Sequence, residues 1–190
     1  MVAILRAIKS KTQPQRYSLS SSDLVDNYKD PIWRFCRKIT YSKEDAEDLF
    51  QETFEKAFEQ LNKINASDNP KNFLFSTALY LWKSKKRKYA RRNRLAPSEP
   101  INEAVEVASN FNTEDSILAQ EDIQHVRDMV QALPEIFKIP IILHYTVEMS
   151  LPDISATLDI PVGTVKSRLH KARNLIKKGL VNAGYEDQQF

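Results

Sequence analysis

The stretch Leu151 to Lys178, LPDISATLDIPVGTVKSRLHKARNLIKK, restricts this chain more than any other. It reads as two short helices joined by a tight turn. In the second, Val165, Leu169, Ala172 and Ile176 recur at intervals of four, three and four, which places one apolar stripe against a core. At about 100° per residue, Ser167, His170, Lys171 and Asn174 then point away from that stripe, with Lys166, Arg168 and Arg173 beside it. A helix that shows small polar and basic side chains and is pinned by a short helix before it meets the demands of reading a DNA major groove. The plainer alternative is an amphipathic surface helix with solvated lysines.

The rest of the chain is compatible with more helix. Only three glycines occur in 190 residues, 42% of them hydrophobic, which argues against an all-β fold with many glycine turns. The expected fold class is all-α, with two small helical domains joined by a flexible acidic linker. Net charge is +3, too modest to decide anything, so its distribution matters more. Cys36 is the only cysteine, which rules out an intrachain disulfide and a cysteine zinc cluster. No apolar run is long enough to span a bilayer, and the opening MVAILRAIKSK is too short in apolar residues for a signal peptide. A cytoplasmic protein without membrane insertion is the expectation.

In chain order, residues 1–22 read as a flexible extension. Asp23 opens a helix bearing Leu24, Tyr28, Ile32, Phe35 and Ile39, and Pro31 either kinks it or starts a second one. Ser42 suits the N-cap of a helix reaching about Leu61. Asp45, Asp48, Glu52, Glu55 and Glu59 align along it at spacings of three and four. Like charges so placed repel one another, so the stripe is either a tolerated solvated face or a docking surface for a basic partner. A polar connection, Asn62 to Asn69, leads to Pro70 and a long helix through about Arg94. That helix ends in KSKKRKYARRNR next to Phe73, Phe75, Tyr80, Trp82 and Tyr89. Cations that can meet phosphates, beside rings that can stack on unpaired bases, suit nucleic acid; otherwise the rings are core and the charges solvated.

From Leu95 to Asp115 the composition reverses, with no lysine or arginine. Residues 95–112 form the acidic linker, roughly 18 residues that could reach about 60 Å when extended. Residues 23–94 and 113–180 are the two domains, and 181–190 a frayed tail. In the second domain Ile123, Val126, Val130 and Leu133 line one side of a helix over 114–132. Pro134 then starts a helix with Phe137, Ile141, Ile142 and Tyr145, in which Pro140 predicts a kink or a shifted boundary.

Three segments in this order resemble a known family. KEDAEDLFQETFEKAF resembles the polymerase-binding helix, NPKNFLFSTALYLWKSKKRK the −10 helix, and LPEIFKIPIILHYTVEMSLPDISATLDIPVGTVKSRLHKAR the −35-binding domain of group 4 (extracytoplasmic-function) sigma factors in the sigma-70 family. The resemblance covers residues 22–94 and 113–179. It implies a sigma factor that binds core RNA polymerase and directs promoter-specific initiation on promoter DNA. Asp45, Asp48, Gln51, Glu52 and Phe54 would dock on the polymerase clamp. Tyr80, Trp82, Lys83, Lys86 and Arg87 would engage and melt the −10 element, with a flipped base held near Asn62–Asn69 and Tyr80. Lys166, Ser167, His170 and Lys171 would face the −35 major groove. The family also implies an anti-sigma factor as partner, no catalytic residue and no cofactor. Departures are Tyr80 in place of asparagine, Ser84 where aspartate is frequent, Asp159 at the turn in place of glycine or asparagine, and Ser155 in place of alanine. The competing readings are a stand-alone helix-turn-helix regulator, which leaves the acidic stripe unexplained, and a nuclease. Against the latter, His125, His144 and His170 form no metal-ligand pattern.

Overall fold

The computed structural model describes residues 20–61, 64, 69–95, 114–183 and 185, and among these every regular element is helical. The expectations for the N-terminal extension, the linker beyond Leu95, residues 62–63 and 65–68 of the connection expected to hold a flipped base, and the last residues of the tail lie outside the described residues.

Helix α1 spans Ser21–Ile39. It begins two residues before Asp23 because Ser20 caps it: the Ser20 hydroxyl accepts from the Asp23 amide at 3.1 Å, and the Asp23 carboxylate accepts from the Ser20 amide at 3.0 Å. The chain continues helically through Pro31, so no second helix starts there. Helix α2, Lys43–Glu59, starts on the expected cap, with the Asp45 amide donating to Ser42 Oγ at 3.0 Å. Helix α3, Pro70–Leu95, opens with proline at its first position and Asn69 before it. Asn69 holds a left-handed φ of 54° and its Oδ1 accepts from the Asn72 amide at 3.3 Å.

These three helices close on one core. Leu24, Ile32 and Phe35 of α1 meet Ala46, Leu49 and Ala57 of α2 and Leu74, Phe75 and Ala78 of α3, all fully buried. Phe35 and Phe75 pack edge to face at 5.1 Å between centroids. Cys36 lies wholly inside, and burial pushes its thiol up to about 12.

The second unit begins with α4, Glu114–Ala132. Val130 and Leu133 pack inward from this side, whereas Ile123 and Val126 stay exposed, so only the C-terminal part of the expected apolar side is buried. Helix α5, Glu135–Ile141, follows Pro134 and contains Pro140. The helix runs through Pro140 and passes into a π-helical turn, Ile142–Thr146, closed by the Val147 amide on the Ile142 carbonyl at 3.2 Å. Helix α6, Leu151–Leu158, is capped by Ser150, and helix α7 runs Val162–Asn182, two residues into the expected tail. Between them Asp159 adopts φ 52° and ψ 51°, the left-handed turn conformation. An aspartate carries the Cβ cost that glycine avoids there, but its short polar side chain can offset it by local hydrogen bonding. Ser155 spans the same turn, donating from Oγ to the Ile160 carbonyl at 2.5 Å. Gly179 of α7 faces Met129 of α4, where an added Cβ would fall on the thioether.

Candidate nucleic-acid interface

Helix α7 divides as its periodicity predicts. Val165, Leu169 and Ala172 are buried, while Lys166, Ser167, His170, Lys171 and Asn174 are exposed. The four −35 candidates therefore share one solvent face, brought there by the burial of the opposite stripe. Ser167 Oγ donates to the Thr164 carbonyl at 3.0 Å, and Asn174 Nδ2 lies 3.1 Å from His170 Nε2. Lys171 Nζ rests 5.8 Å from the centre of the Phe137 ring, which holds its ammonium over α5.

On α2, Asp45, Asp48 and Gln51 are exposed and Glu52 is half-buried. Phe54, expected among the docking residues, is only 5% exposed and joins the core beside Phe50 and Phe58, beneath the acidic face; exposed Phe58 is the ring that reaches solvent. The stripe is also less bare than its spacing suggests. Lys85 of α3 lies 2.9 Å from Glu52 and 3.9 Å from Asp48, and Lys56 lies 2.7 Å from Glu59. Lys85 was countable in the basic run, but its role depends on how α3 lies across α2, which no local pattern encodes.

On α3, Asn72, Ser76, Tyr80, Lys83 and Arg87 follow one another at spacings of four, four, three and four, which sets them on one stripe. Tyr80 is 66% exposed, and Lys83 and Arg87 are exposed with it. Trp82 is elsewhere. At 6% exposure its ring is covered by Tyr41, 5.6 Å between centroids, and by the Lys86 ammonium at 5.8 Å. Tyr41, 63% exposed, is an open ring that no local pattern singled out. Lys86 leans to the other side and pairs with Glu135 at 2.6 Å; the hydrogen bond to that carboxylate raises the affinity of Lys86 for its proton.

That pair belongs to a seam along which the second unit lies on the first. Asp153 Oδ1 accepts from Asn69 Nδ2 at 2.8 Å and from Asn72 Nδ2 at 3.1 Å. Lys71 Nζ donates to the Val147 carbonyl at 3.1 Å and Ser76 Oγ to the Thr157 carbonyl at 3.2 Å. Gln131 Nε2 donates to the Lys38 carbonyl at 3.1 Å. The hydroxyl of Ser150, then Asn72, Lys71 and Asn69, hold the Asp153 carboxyl below its ordinary value against the opposing effect of burial.

Both units match known families. Residues 24–92 match Sigma-70 region 2 and residues 123–176 match Sigma-70, region 4. The chain is 30% identical over 164 residues to the ECF RNA polymerase sigma factor SigW of Bacillus subtilis (strain 168), covering 84% of this chain and 88% of that protein. The chain belongs to the extracytoplasmic-function sigma factors of the sigma-70 family. It is also 31% identical over 142 residues to the ECF RNA polymerase sigma-E factor of Escherichia coli (strain K12), with 70% of this chain and 72% of that one covered. In fold it resembles the sigma factor RpoE in its complex with the anti-sigma factor NepR from Bartonella quintana, with a TM-score of 0.72 at 23% identity, covering 87% of this chain and 99% of that one. CnrH in complex with the cytosolic domain of CnrY is similar too, with a TM-score of 0.62 at 18% identity over 97% of each chain.

Promoter-specific transcription initiation is thus the role of this sigma factor. Its region 2 match takes in most of α1 to α3, with the acidic stripe and the aromatic basic helix, and its region 4 match takes in both helices of the helix-turn-helix. A stand-alone regulator would have accounted for the second match alone. Among the described residues of this sigma factor there is no group of three or more histidine, cysteine or acidic side chains able to hold a metal, and no helix is long and apolar enough to cross a membrane.

Proposed function

We propose that this sigma factor docks on core RNA polymerase through the α2 stripe and reads two promoter elements through separate helices. Asp45, Asp48, Gln51 and Glu52 make the docking contacts, with Phe54 setting the height of that face from the core beneath it. Helix α7 enters the −35 major groove with Lys166, Ser167, His170 and Lys171. On α3, Tyr80 stacks on an unpaired base of the −10 element while Lys83 and Arg87 meet phosphates. Lys86 joins them once released from Glu135, and Trp82 supplies a rigid floor beneath Tyr41 and Lys86. Residues 23–94 and 113–180 act as the two promoter-binding domains, and 95–112 as the segment between them.

The observation that carries this reading is the two-sided character of α7. Its −35 candidates are all exposed, and the stripe opposite them is buried. The sigma factor contributes recognition, and the polymerase makes the bonds in the cytoplasm. An anti-sigma factor is the expected regulator, as the similar fold occurs in solved sigma and anti-sigma complexes. The test is to overexpress the chain, map RNA 5′ ends, and transcribe the promoters so found with core polymerase. Transcription is expected only when the chain is added; equal transcription without it would sink the reading.

A further inference from the structure

Asn174 follows His170 by one turn on the exposed face of α7, and the two side chains touch. Asn174 Nδ2 lies 3.1 Å from His170 Nε2. Both line a shallow groove with Lys171, Leu175 and Lys178. The polar neighbours Ser167 and Lys171 are turned elsewhere: Ser167 Oγ donates to the Thr164 carbonyl, and Lys171 Nζ stands over the Phe137 ring. Among the described residues, Asn174 is therefore the polar side chain that engages the His170 imidazole.

The chemistry of that contact fixes one hydrogen. An amide nitrogen carries two N–H donors and no acceptor lone pair. The ring nitrogen facing it must accept, so Nε2 is bare and the neutral imidazole holds its hydrogen on Nδ1. The nitrogen left for a DNA base is then a donor. In the major groove guanine presents two acceptors, O6 and N7, whereas cytosine presents an N–H donor. A ring held in this tautomer matches guanine and opposes cytosine. A ring free to exchange tautomers and to flip can turn a donor or an acceptor to the base, and discriminates little between the two.

We infer that Asn174 is a positioning residue for −35 recognition: it locks the His170 tautomer, and so makes His170 select an acceptor edge, guanine's above all, against cytosine. This rests on the major-groove role proposed above for His170. Asn174→Ala removes the lock at an exposed helical position where alanine is well tolerated. Two readouts on the full chain test it. Nitrogen-15 NMR of the histidine rings, recorded in alkaline buffer where they are neutral, reports which ring nitrogen carries the hydrogen. The signals of His170 are identified by their loss in His170→Ala. Binding of holoenzyme to the mapped promoter, and to versions with each −35 base pair replaced, reports selectivity.

In the wild type the hydrogen is expected on Nδ1, and in Asn174→Ala on a mixture of the two nitrogens. At the base pair whose preference His170→Ala flattens, discrimination against cytosine should fall about fivefold in Asn174→Ala, the worth of one net hydrogen bond. Preferences at the other −35 positions should stay as they are. In a His170→Ala background, Asn174→Ala should change no preference further, because its effect passes through the ring. An Nε2–H tautomer in the wild type, or a preference of His170 for cytosine, would overturn the inference. So would a preference change that survives in the double variant, which would mean that Asn174 reads a base itself. If His170→Ala alters no −35 preference, the reading of α7 falls and this inference with it. If His170→Ala does so and Asn174→Ala does not, this inference falls alone.

Discussion

In the function proposed for α7, His170 is the residue on which sequence discrimination at the −35 element turns most directly. It is exposed, central to the α7 face, and within 3.1 Å of Asn174, so its ring is oriented by a neighbour on the same helix. Replacing it with alanine should flatten the preference at one −35 base pair, costing about 1–3 kcal/mol against the preferred base only. Lys178→Ala, two helical turns farther along, should weaken binding to all sequences alike and lower its salt dependence. Footprinting of promoter variants separates the two, and uniform loss for His170→Ala would remove it from the readers. These polar positions were legible because the stripe opposite is unambiguous. The aromatic ones were not. Trp82 and Phe54 could face solvent or core by spacing alone, and their burial is decided by Tyr41 and by the stacking of Phe50 and Phe58.

At the scale of elements, α2 and α3 are coupled by charge. The carboxylates of Asp48 and Glu52 keep Lys85 over the acidic stripe. Glu52→Lys places two cations together and reverses the charge that the polymerase would meet. It should reduce capture of core polymerase at least about tenfold in a pull-down, with the fold intact by circular dichroism. Lys85→Met should cost the fold no more than about 1 kcal/mol in urea unfolding, because the pair is partly exposed and screened. It should leave the stripe more negative and polymerase binding undiminished; a loss of binding would show that Lys85 positions Glu52 and does not merely neutralise it. Most element boundaries were readable from Ser42, Pro70 and Pro134, whose backbone demands are local. The start of α1 was missed by two residues because Ser20 sits in a serine run where any member could cap. The π turn was not readable, since it begins two residues after Pro140 and its closing bond, from the Val147 amide to the Ile142 carbonyl, does not involve the amide that the proline lacks.

For the whole molecule, the two-domain helical plan follows from the periodicities, but the seam does not. Asn69, Asn72 and Asp153 look like ordinary capping residues in sequence, and they are; their second use arises only when the two helix starts meet. Asp153 has a pH signature, set first by the Ser150 hydroxyl of its own cap and then by Asn72, Lys71 and Asn69 across the seam. The carboxyl of Asp153 lies below its ordinary 3.8, so the fold favours the charged form. Its contribution is therefore fully present above 3.8 and drains away as the pH falls through the lower folded value. In urea unfolding across pH, the wild type should exceed Asp153→Asn in stability at neutral pH, and the difference should shrink on the acid side. A difference that stays constant into acid would show that the charge is not what matters there.

Cys36 sets a limit of another kind. Its thiol is fully enclosed by the first unit and needs strongly alkaline conditions to ionise, with burial pushing it to about 12. A thiol in that state resists peroxide and maleimide alike. Dyes can be attached at chosen surface cysteines while Cys36 stays in place, which makes it possible to follow the two units in the native chain.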